Sequence, residues 1–108
     1  MKQRRLILAL TTVGSNGEAE SMARALVDER LAACVNRVAV ISTYRWKDAV
    51  ENDPETLLVI KSTADLVDRL RERVRALSSY EVPEFVVLEP REVSAAYLAW
   101  AVEACADV

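Results

Sequence analysis

Apolar and polar positions along this chain switch repeatedly between a helical and an alternating period, and each switch marks an element. The continuous run Leu6-Ile7-Leu8-Ala9-Leu10, behind a basic Lys2-Gln3-Arg4-Arg5, predicts a buried first strand over Lys2–Thr12. Val13-Gly14-Ser15-Asn16-Gly17 reads as a turn, and Ser15 with Glu18 three residues later is a capping box that starts a helix. Ala19, Met22, Ala23, Leu26 and Val27 then recur at helical spacing and make one buried stripe. Across Arg30-Leu31-Ala32-Ala33-Cys34-Val35-Asn36, which contains no Gly or Pro, the period becomes alternating. Val38, Val40, Ser42, Tyr44 and Trp46 fall on one face of a second strand, with Ala39, Ile41, Thr43 and Arg45 on the other. Lys47–Asp53 is polar, Asn52-Asp53-Pro54 is the expected reversal, and Thr56-Leu57-Leu58-Val59-Ile60 returns, so 38–61 reads as a long β-hairpin.

Ser62 and Asp65 offer a second helix cap, followed by the stripe Leu66, Val67, Leu70, Val74 and Leu77. Ser78-Ser79-Tyr80 ends that helix, and Pro83 prevents its continuation. Glu84–Glu89 is expected as a fourth strand and Ser94–Ala106 as a third helix. That last helix carries one stripe of Leu98, Ala101, Val102 and Cys105 and a second of Tyr97, Trp100 and Ala104. The order β-α-β-β-α-β plus a C-terminal helix predicts an α+β fold, the ferredoxin-like sandwich with its helices on one sheet face. The opposite face and both faces of the long hairpin would then meet water, and exposed strand edges invite pairing. A homo-oligomer is therefore expected, with the hairpin and terminal helix at its interface.

Composition narrows the function classes. A length of 108 residues suits one domain, 1–108, and 52% apolar with 29% charged residues suits a globular chain. No apolar run approaches the roughly 20 residues of a membrane helix. The basic start before Leu6–Leu10 resembles a signal peptide, but the stretch is short and lacks a cleavage site, so a strand is expected there. A net charge of −3, from 14 basic and 17 acidic residues, disfavours a nucleic-acid partner. Arg69, Arg71, Arg73 and Arg75 read as a solvated helix face. The two cysteines, Cys34 and Cys105, are expected as reduced thiols in the cytoplasm. Histidine is absent, which removes Ser/His/Asp and Cys/His catalysis and the commonest transition-metal ligand. With no phosphate loop and no carboxylate pair at a telling spacing, no enzyme activity is expected, and the absent CxxC spacing weighs against a small metal-transfer domain.

Seven residues stand out as polar or aromatic in apolar surroundings: Cys34, Asn36, Tyr44, Trp46, Lys61, Tyr80 and Glu84. Lys61 ends an apolar strand and needs a carboxylate, Glu84 or Glu55, unless it binds an anion. Cys34 is a small core residue, or else a thiolate metal ligand or reactive site. Tyr80-Glu81-Val82-Pro83-Glu84 forces an extended, rigid approach to the fourth strand. Trp46 and Trp100 are core or interface anchors, or parts of a ligand cage.

The blocks Arg30–Asn36, Ser42-Thr43-Tyr44-Arg45-Trp46, Glu55 with Lys61, Tyr80–Glu84 and Tyr97-Leu98-Ala99-Trp100 together resemble the CutA family of divalent-cation tolerance proteins. The resemblance covers nearly the whole chain. It implies a ferredoxin-like subunit in an intertwined homotrimer shaped like PII signalling proteins, linked to tolerance of copper and other divalent metals. It also implies a cleft between subunits lined by Cys34, Asn36, Tyr44, Trp46, Lys61, Tyr80 and Glu84, holding a metal ion or a small anionic ligand. Cys34 and Glu84 are the implied metal ligands. Two positions depart from the pattern: Ser78-Ser79 replaces the usual His-Pro before Tyr80, and Glu92-Val93 replaces a usual Gly-Asn. The first removes the most natural copper ligand in that loop.

Overall fold

A computed structural model describes residues 4–107. The elements run β1 (Leu6–Val13), α1 (Asn16–Asp28), β2 (Cys34–Trp46), β3 (Ala49–Thr63), a 3₁₀ turn (Ala64–Leu66), α2 (Val67–Leu77), β4 (Val86–Leu88) and α3 (Ala95–Ala104). Every strand pair is antiparallel and the order in the sheet is β2-β3-β1-β4, the expected ferredoxin-like sandwich. Lys2 and Gln3 of the expected first strand lie outside the described residues.

Local chemistry accounts for the boundaries. Ser15 is extended and its hydroxyl accepts from the Glu18 amide at 3.1 Å, as the capping box requires. At the other end of α1, Arg30 adopts φ 61°, and the Leu31 amide donates back to the Leu26 carbonyl. That is a left-handed helix stop of the kind glycine usually makes. Arginine is retained there because its guanidinium donates to the carbonyls of Glu103 at 2.6 Å and Ala104 at 3.2 Å, tying α1 to the end of α3.

Two expectations are corrected. The hairpin reverses at Lys47-Asp48, both at positive φ (50° and 66°), with Trp46 opposite Ala49, and not at Asn52-Asp53-Pro54. A two-residue turn with both positions left-handed matches the twist of the strands it joins. Pro54 sits inside β3 opposite Ile41, beyond the end of β1, where one edge of β3 has no ladder to break. Nor does Ser62 cap a helix: it is buried in β3 and its hydroxyl donates to the Leu31 carbonyl at 2.6 Å. Asp65 instead receives Arg4 Nε at 3.2 Å. Burial alone would raise the Asp65 carboxyl, but hydrogen bonds from Thr63 and its own backbone, with Arg4 beside it, hold it below the ordinary range.

Helices α1 and α2 cover the sheet face that carries Ile7, Ala9, Val13, Leu58 and Ile60, packing Met22, Leu26, Leu70 and Val74 against it. Each such side chain contributes roughly 1.5–3 kcal/mol on burial. Ala101 of α3 and Cys105 just past its end close the core, where Arg4 also donates to the carbonyls of Val102 and Ala106. β1 pairs only with residues 56–63 of β3, so the hairpin beyond that point is a two-stranded ribbon. It stretches the subunit to 48 × 26 × 21 Å and leaves Ile41, Val50 and Trp46 exposed.

Candidate functional site

Register places the candidate residues on one side of the sheet. Directly opposed residues share a face, so Cys34 with Lys61, Asn36 with Val59 and Tyr44 with Glu51 all lie on the face opposite α1 and α2. Leu8, facing both Lys61 and Leu88, continues that face across β1 to β4. Six of the seven residues are strand or near-strand positions on it. Tyr80 arrives from the loop after α2.

The set divides into two groups. Tyr44, Trp46, Tyr80 and Glu84 meet at a hollow of about 310 Å³, where the ribbon leaves the sheet. Thr12 at the end of β1, Glu55, Glu81 and Val82 complete its lining. The Tyr80 hydroxyl donates to Glu55 Oε2 at 2.5 Å, and the Tyr44 hydroxyl donates to Asp53 Oδ2 at 2.6 Å. Both phenols are driven to their neutral form. Tyr44 is pushed up to about 12, mainly by its hydrogen bond to Asp53, with Glu55 and Glu51 adding to the negative field. Tyr80 is raised chiefly by burial and then by Glu55. No basic side chain lines the hollow among the described residues.

Cys34, Asn36 and Lys61 form the second group, at the root of the hairpin. Cys34 is half-buried and free, Asn36 exposed. Lys61 Nζ stands 5.8 Å from the centre of the Tyr97 ring on α3. The expected pairing of Lys61 with Glu55 or Glu84 is not formed within one chain. Glu55 is six residues away along β3 and is held by Tyr80 instead.

The same arithmetic governs metal binding. Cys34 opposes Lys61 and, through it, Leu8, whereas Glu84 precedes the Val86–Leu10 pair. Strand rise and strand spacing put the two roughly 20 Å apart. A shared metal ion spans only about 4.5 Å between sulfur and oxygen. Among the described residues, no group of three or more Cys, Asp or Glu is placed to hold a metal ion. One chain therefore does not supply a metal site from Cys34 and Glu84.

Several contacts that build the hollow are not visible in sequence periodicity. Where the family pattern has His-Pro, the Ser79 amide and hydroxyl both donate to the Glu18 carboxylate at 2.9 Å, and the Tyr80 amide donates to Ser78 Oγ. This fastens the loop to the first turn of α1 and aims Tyr80 across the end of β1. The Tyr80 ring lies directly over Gly14, where a Cβ would stand in ordinary contact, 3.4 Å from the hydroxyl. The one signal was Glu18, whose amide bonds to Ser15 while its carboxylate is left for Ser79.

Comparison with known proteins identifies the family and bears out the fold. A family model described as CutA1 divalent ion tolerance protein matches residues 7–104. The divalent-cation tolerance protein CutA of Thermus thermophilus is 48% identical over 94 residues, 86% of this chain and 91% of that protein. Protein CutA of Mus musculus is 42% identical over 85% of this chain but only 52% of its own length, so the chain spans about half of that relative. A solved structure of a divalent cation tolerance protein from Thermus thermophilus superposes with a TM-score of 0.89 at 45% identity, covering 94% of this chain and 99% of that one.

Proposed function

The chain belongs to the CutA1 divalent ion tolerance family, and on that premise we propose that it works as a cytoplasmic, non-catalytic homotrimer in tolerance of divalent metals such as copper. Its clefts between copies bind a metal ion or a small ligand. One observation carries this reading: the candidate residues lie on a single sheet face, the one away from α1 and α2, yet in two groups too far apart to cooperate within a chain. Packing that face against another copy covers Val38, Val86 and Leu88, all more than a third exposed in the single subunit. It also sets Cys34, Asn36 and Lys61 of one copy beside Tyr44, Trp46, Tyr80 and Glu84 of the next. An anionic ligand would bind at the Lys61 side, a cation at the Glu84 side.

Sedimentation velocity tests the assembly, with a trimer expected and a stable monomer at micromolar concentration fatal to the cleft. Anaerobic titration with Zn(II) and Cu(II), repeated on Cys34→Ser and Glu84→Gln, tests the ligand. Binding tighter than about a millimolar, near −4 kcal/mol, that both variants weaken supports the reading. A second reading is favoured by the missing loop histidine: a trimeric interaction scaffold resembling PII proteins, without tight metal binding. It predicts that Lys61→Met and Glu84→Gln shift the melting temperature and leave every metal isotherm unchanged.

A further inference from the structure

We infer that the hollow bordered by Tyr44, Trp46 and Tyr80 is a binding site for a small organic ammonium ion, distinct in ligand class from a bare metal. The inference rests on the cleft reading only in that this end of the cleft must stay open to solvent. The hollow itself is complete within one chain.

Three features carry it. First, aromatic rings and carboxylates share one lining: two tyrosines and a tryptophan with Glu55, Glu81 and Glu84, and no basic side chain among the described residues. Ring faces and carboxylates both attract positive charge, and rings favour a weakly hydrated cation carrying alkyl groups over a strongly hydrated metal ion. Second, both phenol hydroxyls are already committed to Asp53 and Glu55. That leaves the rings as apolar walls and keeps these two carboxylates from closing on a metal. Third, the chain itself places an ammonium at one of these rings: Lys47 Nζ, from the hairpin turn, stands 5.7 Å from the centre of Trp46. At about 310 Å³ the hollow is at the lower end of small-molecule sites, suited to a compact ligand.

The test uses the full-length protein with Trp100→Phe as background, so that Trp46 is the sole tryptophan reporting. Tetramethylammonium chloride is titrated against tert-butanol, a neutral probe of similar shape, at constant ionic strength. Saturation-transfer difference NMR on the probe methyl groups is read in parallel with Trp46 fluorescence. Saturable binding of tetramethylammonium on the order of a millimolar, absent for tert-butanol, is expected. Trp46→Leu should weaken it about tenfold and Glu84→Gln about threefold, with the circular dichroism unchanged. Equal responses to both probes would reduce the hollow to an apolar dent and overturn the inference. So would an affinity for tetramethylammonium unchanged in Glu84→Gln, a variant at a position exposed in the subunit. Zn(II) titrated on the same samples separates the two readings: metal binding without a tetramethylammonium response sinks this inference alone, and silence from both cations sinks this inference together with the cation side of the cleft.

Discussion

The root and the tip of one hairpin obey different rules although the same two strands run through both. At the root, Leu58 and Ile60 are fully buried between sheet and helices, and β3 has a neighbour on each side. At the tip, Ile41 is 72% exposed and Val50 60%, and the ribbon has only itself. An isolated two-stranded ribbon is marginal in water. Apolar residues at the tip therefore contribute to the subunit's own stability far less than identical residues at the root. Their value lies in what the tip meets and in the hollow it walls.

Substitutions can break or sharpen that contrast. Leu58→Ala at the root should cost about 3 kcal/mol in chemical unfolding, through lost burial and a cavity. Ile41→Ala at the tip should change the unfolding of the dissociated chain by less than about 0.5 kcal/mol. If copies pack on the tip, the loss in Ile41→Ala will instead grow as protein concentration rises and fade on dilution. Equal costs at both sites in the dissociated chain would erase the distinction.

Arg4→Met is next in size. Arg4 and Asp65 are mostly buried, with side chains 16% and 6% exposed, and removing the cation strands a carboxylate. A loss of about 3 kcal/mol near neutral pH is expected. Because the Asp65 carboxyl is held below its ordinary value, its stabilisation is present above the unfolded value, roughly 4, and fades as pH falls through the folded one. The acid limb of a stability-against-pH curve should therefore be shallower in the variant.

Thr11 sharpens the comparison in the opposite direction. Its hydroxyl is buried at the root with no hydrogen-bond partner among the described residues. Thr11→Val should stabilise the protein by about 1 kcal/mol in the same unfolding assay. A destabilisation would mean that an ordered water or a neighbour satisfies that oxygen.

The smallest effect is at the tip. Tyr44 is raised to about 12, so its neutral form is favoured by the fold. That contribution is intact below the unfolded value of about 10 and is lost as pH climbs through the folded one. In an ultraviolet titration, Asp53→Asn should bring one late phenol back toward ordinary ionisation with little change in melting temperature. An unchanged titration would show that Asp53 does not control the ring.

Most of the fold is legible in the residues. Ser15 with Glu18, the stripe through Met22 and Leu26, the alternation from Val38 to Trp46 and the stop at Pro83 each act over a few neighbours, so local chemistry is enough to place them. The hairpin reversal was not legible. Lys47-Asp48 lacks the Gly or Asn that announces a left-handed turn, while Asn52-Asp53-Pro54 advertises one and is held straight by its ladder to β2. The candidate set was read as one group because the residues share a chemical type. Only register shows that Cys34 and Lys61 sit at one end of the face and Tyr44, Trp46, Tyr80 and Glu84 at the other.

By itself the amino-acid order determined which segments become helix or strand, which side chains face inward, and which family's pattern they match. Those properties are set by spacing along the chain and by burial of apolar stripes. The tertiary structure alone decided that Glu55 takes Tyr80 and leaves Lys61 to Tyr97, that Ser79 fastens to Glu18, and that Asp65 belongs to Arg4. Such pairings join residues 25 to 61 positions apart. They depend on strand register and loop course, which nothing in the local spacing of charges or rings can specify.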